Sequence, residues 1–146
     1  MAREFHPDDS FLEEGRQTGI DQINDALKRF GFDTDRDRIL TSRDPRMDQV
    51  RNALRRETMP PGWLSWQVPA YLASKYSFFF LQVAQPGAIL PEHAHEVDQF
   101  RMVLSGGVIY NGVELKSGDW MFIPKGKEYG LSISTNPGPA VITYAY

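Results

Sequence analysis

Residues 87–106 read GAILPEHAHEVDQFRMVLSG, and this stretch decides the fold of the chain. It holds two of the three histidines, His93 and His95, in the spacing H-x-H, and a glycine closes each end. Because side chains alternate between the two faces of a strand, both imidazoles are expected to project to one face. No other stretch of the sequence has so many metal-capable side chains in so regular a frame. The stretch therefore predicts a metal-site hairpin inside a small β-barrel.

The second half of this stretch predicts a strand that faces the same cavity. Gln99 follows the second histidine by four residues, and the sequence EVD between them supplies a turn. If Gln99 faces inward, alternation also turns Arg101 and Val103 inward, and the intervening residues face the other way. Two imidazoles, an amide oxygen and a guanidinium are then expected to converge on one cavity.

From residue 63 onward the sequence is typical of an all-β protein. Short segments rich in β-branched and aromatic residues are separated by turn residues, which is typical of a sandwich or barrel. The predicted strands are 64–69, 76–84, 98–104, 107–110, 113–116, 119–123, 128–134 and 139–145. Asn111-Gly112 is a strong signal for a two-residue hairpin, because both positions need positive φ.

The N-terminal part of the chain predicts helices instead. Apolar residues recur at helical spacing over 20–30, and a second helix is expected to begin at Asp44 and to end at Pro60. These helices are too small to form a separate core. We therefore expect a tail and two helices over 1–62, packed as a flank on a barrel over 63–146.

Composition excludes several classes of function. Sixteen basic and 19 acidic residues leave a net charge of −3 without a basic run, which argues against nucleic acid or an acidic membrane as partner. Cysteine is absent, so disulfides, thiolate chemistry and cysteine-type zinc sites are excluded. The N-terminus has no apolar core, and the longest apolar run, Phe78 to Leu81, is too short to span a bilayer. A cytoplasmic protein is expected.

The quoted stretch resembles the first motif of the cupin superfamily. That motif is a glycine, five residues, H-x-H, three or four residues, a glutamate, six residues and a glycine. Gly87, His93, His95 and Gly106 stand in register with it, and Gln99 occupies the glutamate position.

A second stretch is similar to the other cupin motif, which is a glycine, five residues, a proline, one residue, a glycine, two residues and a histidine. Gly118, Pro124 and Gly126 match at every spacing, but Tyr129 replaces the histidine. The resemblance therefore covers residues 87–129. It implies a cupin-type double-stranded β-helix, or jelly-roll barrel, with an N-terminal helical flank.

The resemblance also implies a metal site. It assigns His93, His95 and Gln99 as ligands of a divalent transition metal, either Mn, Fe, Ni or Zn. Gln99 would bind through a neutral oxygen, which leaves the ion its full charge and makes it a stronger Lewis acid. Tyr129 could ligate the metal as a phenolate, donate a proton to a substrate, or simply fill the barrel. Arg101 could bind a substrate carboxylate or form an internal salt bridge.

These features predict a metal-dependent cupin enzyme that acts on a small oxygen-rich or carboxylated molecule. Tyr129 and Arg101 are its expected catalytic residues. Lewis-acid chemistry of lyase, isomerase or cyclase type is favoured, with dioxygenase chemistry as the other option. The alternative is a non-catalytic cupin that binds a small molecule, or a subunit of a larger complex. A homodimer is favoured by the aromatic residues over 76–84 and by the frequent dimerisation of cupins. The alternative is that the N-terminal helices cover these aromatic residues.

Overall fold

A computed structural model of the chain describes residues 6, 9–32, 38–73, 76–135 and 138–146. The chain divides into two compact units, one of Met1–Thr34 with Pro45–Tyr71 and one of Asp35–Asp44 with Leu72–Tyr146. The first unit therefore extends beyond residue 62, where the sequence placed its boundary. No helix in the described part of the chain is long and apolar enough to cross a membrane.

The first unit is helical, as the sequence predicts. A 3-10 turn at Ser10–Leu12 precedes helix α1 over Glu13–Arg29, and helix α2 spans Met47–Ala53. The apolar face of α1 is buried through Ile23 and Leu27. Near its start α1 is kinked, with Gly15 at φ 67°. Helix α2 is shorter than predicted at both ends, since it begins at Met47 and not at Asp44, and it ends at Ala53 and not at Pro60.

The second unit consists of two antiparallel sheets. Its strands are β1 Leu40–Thr41, β2 Phe79–Ala84, β3 Ile89–His93, β4 Gln99–Ser105, β5 Val108–Tyr110, β6 Val113–Leu115, β7 Trp120–Ile123, β8 Tyr129–Ile133 and β9 Ala140–Ala145. One sheet has the order β1-β7-β4-β9-β2, and the other has the order β3-β8-β5-β6. This architecture confirms the predicted jelly-roll barrel.

A local sequence signal explains the β5–β6 hairpin, whereas the strand prediction differs from the structure in two other places. Asn111 and Gly112 have φ of 50° and 75°, and they join β5 to β6 as predicted. The predicted strand over 64–69 is wrong, since only an isolated bridge between Arg55 and Trp66 forms there. The listed strands leave a gap over 85–97, although the H-x-H argument assumed a strand there, and β3 fills part of that gap over Ile89–His93.

The core of the barrel lies between the two sheets. Its buried cluster consists of Val103, Val108, Leu115, Met121, Ile123, Tyr129, Leu131, Ile133, Ala140 and Ile142. The predicted alternation of β4 is confirmed, because Gln99, Arg101 and Val103 are buried. Two polar side chains of β4 are thus held inside the barrel beside an apolar core.

Strand β2 leaves an apolar edge exposed. It pairs with β9 on one side and forms the edge of its sheet on the other. Phe79, Leu81 and Val83 are 79%, 68% and 60% exposed, and no charged residue occurs from Tyr76 to Pro91. Proteins usually protect such edges with charge, proline or a covering element.

We therefore expect two copies of the chain to associate through β2. We expect the wild type to be a dimer and Leu81→Lys to be a monomer, because a lysine at this edge opposes strand pairing. Light scattering coupled to gel filtration measures the mass. Val113→Lys is the matched control, since Val113 is exposed on β6 and should leave the dimer intact. A wild-type monomer at high protein concentration, or a dimeric Leu81→Lys protein, would contradict this expectation.

Candidate functional site

The two histidines of the H-x-H motif converge inside the barrel mouth. Strand β3 ends at His93, which pairs with Tyr129 on β8, and His95 follows in the connection to β4. The Nε2 atoms of His93 and His95 lie 3.0 Å apart, and the ring centroids are separated by 4.8 Å. The imidazoles converge, but not on one face of a strand as the sequence predicted, because His95 lies outside β3.

The protonation of the pair is governed by its neighbours. His93 Nδ1 lies 2.8 Å from the Pro91 carbonyl oxygen and donates to it, which leaves the lone pair of Nε2 facing the site. The pKa of His95 is lowered by burial and by the nearby His93 and Arg101, so this ring stays neutral at pH 7. A neutral His95 either carries its proton on Nε2, where it can donate to His93 Nε2 at 3.0 Å, or carries it on Nδ1 and presents a second lone pair that a cation can bind.

Three buried polar side chains form a closed network beside the histidines. Gln99 Oε1 accepts hydrogen bonds from the Tyr129 hydroxyl at 2.8 Å and from Arg101 Nε at 3.0 Å. Arg101 Nη2 donates to the Tyr129 hydroxyl oxygen at 3.0 Å. The same hydroxyl lies 3.2 Å from His95 Nε2, which links the network to the histidine pair.

The side-chain oxygen of Gln99 is fully engaged in this network, but its nitrogen is not. Both lone pairs of its Oε1 already have donors, and its Nε2 is buried with no hydrogen-bond partner. Metal ligation through Oε1 would require Arg101 or Tyr129 to release it. The assignment of Gln99 as a ligand stays a prediction.

Arg101 is a buried cation without an acidic partner. It is 5% exposed, and its Nη1 donates to Gln82 Oε1 at 2.8 Å. Its guanidinium lies 4.6 Å from the ring centroid of Tyr144. Among the described residues no carboxylate lies within salt-bridge distance of it. Of the two roles that the sequence left open for Arg101, binding an anionic ligand agrees better with these contacts.

Tyr129 is a neutral phenol in this site. It is 1% exposed, and burial raises the pKa of its hydroxyl, while the nearby Arg101 lowers it to a smaller extent. Its single proton is donated to Gln99 Oε1. A neutral phenol can donate a hydrogen bond or a proton to a ligand that displaces Gln99 as its acceptor.

Sequence reasoning missed two residues that contact Arg101. Gln82 comes from β2, and Tyr144 comes from β9, where it pairs directly with Arg101 in register. Tyr144 also stacks on Phe80 at 4.8 Å, and Phe80 lies on the same face of β2 as Gln82. The alternation of β2 did group Phe80 with Gln82, but only the pairing with β9 turns that face inward.

Within the part of the chain that the structure describes, no group of three or more His, Cys, Asp or Glu side chains could hold a metal ion. Any metal held here would therefore depend on the two histidines and on neutral oxygen donors. Its charge would add to that of Arg101.

Comparison with known proteins identifies the domain. The family model described as "Cupin domain" matches residues 80–146. Among curated proteins, none matches the sequence significantly.

Solved structures with similar folds cover about half of the chain. A cupin-like protein of unknown function from Ralstonia eutropha JMP134 shares 19% identity over 47% of this chain and 49% of that one, with a TM-score of 0.44. An RmlC-like cupin from Shewanella frigidimarina NCIMB 400 shares 25% identity over 47% of this chain and 63% of that one, with a TM-score of 0.40. KdgF from Halomonas sp. shares 23% identity over 51% of this chain and 74% of that one, with a TM-score of 0.41. The match thus spans less than two thirds of the first two proteins.

Proposed function

We propose that this chain, of which residues 80–146 match the cupin-domain model, is a metal-dependent enzyme for a small carboxylated molecule. His93 and His95 hold a divalent transition metal, which is Mn, Fe, Ni or Zn. The observation that carries the proposal is the convergence of their Nε2 atoms at 3.0 Å. Imidazole nitrogens suit Fe, Ni and Zn, whereas an amide oxygen such as that of Gln99 suits Mn.

The two histidines fit a metal by their protonation as well as by their position. The Pro91 carbonyl holds the proton of His93 on Nδ1, and this kind of outer contact is usual for metal-binding histidines. His95 is kept neutral by its lowered pKa. Gln99 is the proposed third ligand, and it would exchange one of its two present donors for the ion. The metal supplies a Lewis acid that polarises a substrate oxygen.

Arg101 binds the carboxylate of the substrate in this proposal. Its charge is buried without an acidic partner among the described residues, and burying an unpaired charge is costly. An anionic substrate removes that cost and offsets the charge of the metal. Tyr129, a neutral phenol 2.8 Å from Gln99 Oε1, donates its proton or a hydrogen bond to the substrate. This division of roles suits lyase, isomerase or cyclase chemistry, with dioxygenase chemistry as the other option.

Metal analysis of protein purified without a histidine tag tests the proposal. We expect about one transition metal ion per chain, because the site has a single histidine pair. Added metal at about 100 times its Kd should stabilise the apo protein by about 2.7 kcal/mol. That stabilisation corresponds to a rise in Tm of roughly 5–10 °C. Absence of bound metal, together with an unchanged Tm in Mn, Fe, Ni or Zn, would contradict the proposal.

A second candidate function is non-catalytic binding of a small carboxylate. One observation favours it, namely that Gln99 Oε1, the atom that would bind a metal, already accepts hydrogen bonds from Tyr129 and Arg101. Carboxylate binding through Arg101 in metal-free protein, with an affinity that added metal does not change, would support this candidate over the enzyme.

A further inference from the structure

An apolar cleft opens between the edge strands β2 and β3. Its volume is about 260 Å³. Ala84, Leu90, Leu131, Ile133 and Ile142 contribute to its apolar walls. Arg101 and Gln82 are its polar lining within the described residues. At about 30 Å³ per water the cleft has room for about nine waters, which suits a small ligand.

The guanidinium that lines this cleft has unused donors. Arg101 carries five N–H groups, and three of them donate to Gln99, Gln82 and Tyr129. The remaining two have no acceptor among the described residues, and Arg101 itself is 5% exposed. A buried cation with free donors at the polar end of an apolar cleft is stabilised most by an anion with hydrogen-bond acceptors.

We infer that the cleft binds a carboxylate with an apolar body, with the carboxylate at Arg101 and the body between β2 and β3. The inference rests on the proposed function for the role of Arg101, and it adds the chemical class of the substrate. A sugar acid of the same size is disfavoured, because its hydroxyl groups would meet Leu90, Leu131 and Ile142 without hydrogen-bond partners. A compact monocarboxylic acid satisfies both ends of the cleft.

Calorimetric titration with octanoate, acetate and 1-octanol tests the two ends separately. Octanoate should bind at least about 100-fold more tightly than acetate, because its chain buries apolar surface in the cleft. Arg101→Leu should weaken octanoate binding by about 10- to 100-fold, the range for a hydrogen bond to a charged group, and should leave 1-octanol unaffected. Arg101→Lys keeps the charge, so its octanoate affinity should lie between that of Arg101→Leu and that of the wild type.

Variants of the apolar wall complete the test. Leu90→Asn should weaken octanoate binding about tenfold without changing acetate binding, because only octanoate reaches that wall. Val113→Asn, an exposed residue of β6 outside the cleft, is the matched control. Retained binding of 1-octanol by Arg101→Leu shows that the cleft is intact. Equal octanoate affinity in wild type and Arg101→Leu, or octanoate binding no tighter than acetate, overturns the inference.

Titration of chelator-treated and metal-loaded protein separates this inference from the proposed function. Octanoate binding as expected in protein that retains no metal upholds the inference and removes the metal-dependent function. Retained metal with octanoate binding no tighter than acetate removes the inference and leaves the metal-dependent function standing.

Discussion

The purified His93→Ala variant is expected to contain no stoichiometric metal. The substitution removes one of two imidazoles whose Nε2 atoms converge at 3.0 Å, and the remaining candidate donors are neutral oxygens already engaged in hydrogen bonds. Loss of an outer partner of a metal ligand costs 10- to 100-fold in affinity, so loss of a ligand should cost more than about 100-fold. Elemental analysis after dialysis, together with the metal-induced shift in Tm, measures the effect.

The third histidine of the chain provides the control for this experiment. His6 is exposed and lies outside the residues that match the cupin domain, so His6→Ala should retain the wild-type metal content. His95→Ala should behave like His93→Ala, because the two rings face the same point. Unchanged metal content in both His93→Ala and His95→Ala would mean that any bound metal lies elsewhere. The barrel would then keep its histidines only for hydrogen bonding.

Much of the barrel could be predicted because its signals are local. Asn111 and Gly112 specify a hairpin through backbone angles that few residues adopt, and the structure has that hairpin. The alternation along β4 turns Gln99 and Arg101 inward, and both are buried. The two-residue strand β1 carries too little sequence to leave a pattern, since its pairing with β7 depends on distant residues.

Only those contacts of the site that lie within one strand or one motif could be predicted from the sequence. The histidine pair follows from H-x-H, whereas Gln82 and Tyr144 reach Arg101 through the pairing of β2 and β4 with β9. Strand register between distant segments is set by the whole core, so composition and spacing do not reveal it. The contact of Arg101 with Gln99 was within reach of sequence reasoning, because residues two apart on a strand share a face.

Gly106→Ala is expected to destabilise the barrel strongly. Gly106 ends the first motif with φ of 75°, and a Cβ there would lie 2.7 Å from both the Ala140 Cα and the Pro139 carbonyl oxygen. These are backbone atoms at the start of β9, so they cannot rotate away as a flexible side chain could. Left-handed backbone costs about 1–2 kcal/mol for alanine, and displacing β9 should bring the total to about 3–5 kcal/mol.

Gly118→Ala separates the two contributions to this loss of stability. Gly118 begins the second motif with φ of 86°, but a Cβ there would meet nothing within 4 Å, so only the backbone cost of about 1–2 kcal/mol applies. Denaturant unfolding of both variants gives the two free energies. Equal losses would mean that the approach of Gly106 to Ala140 can relax freely. A larger loss for Gly106→Ala means that this glycine is required by the packing of β9, the strand that brings Tyr144 to Arg101.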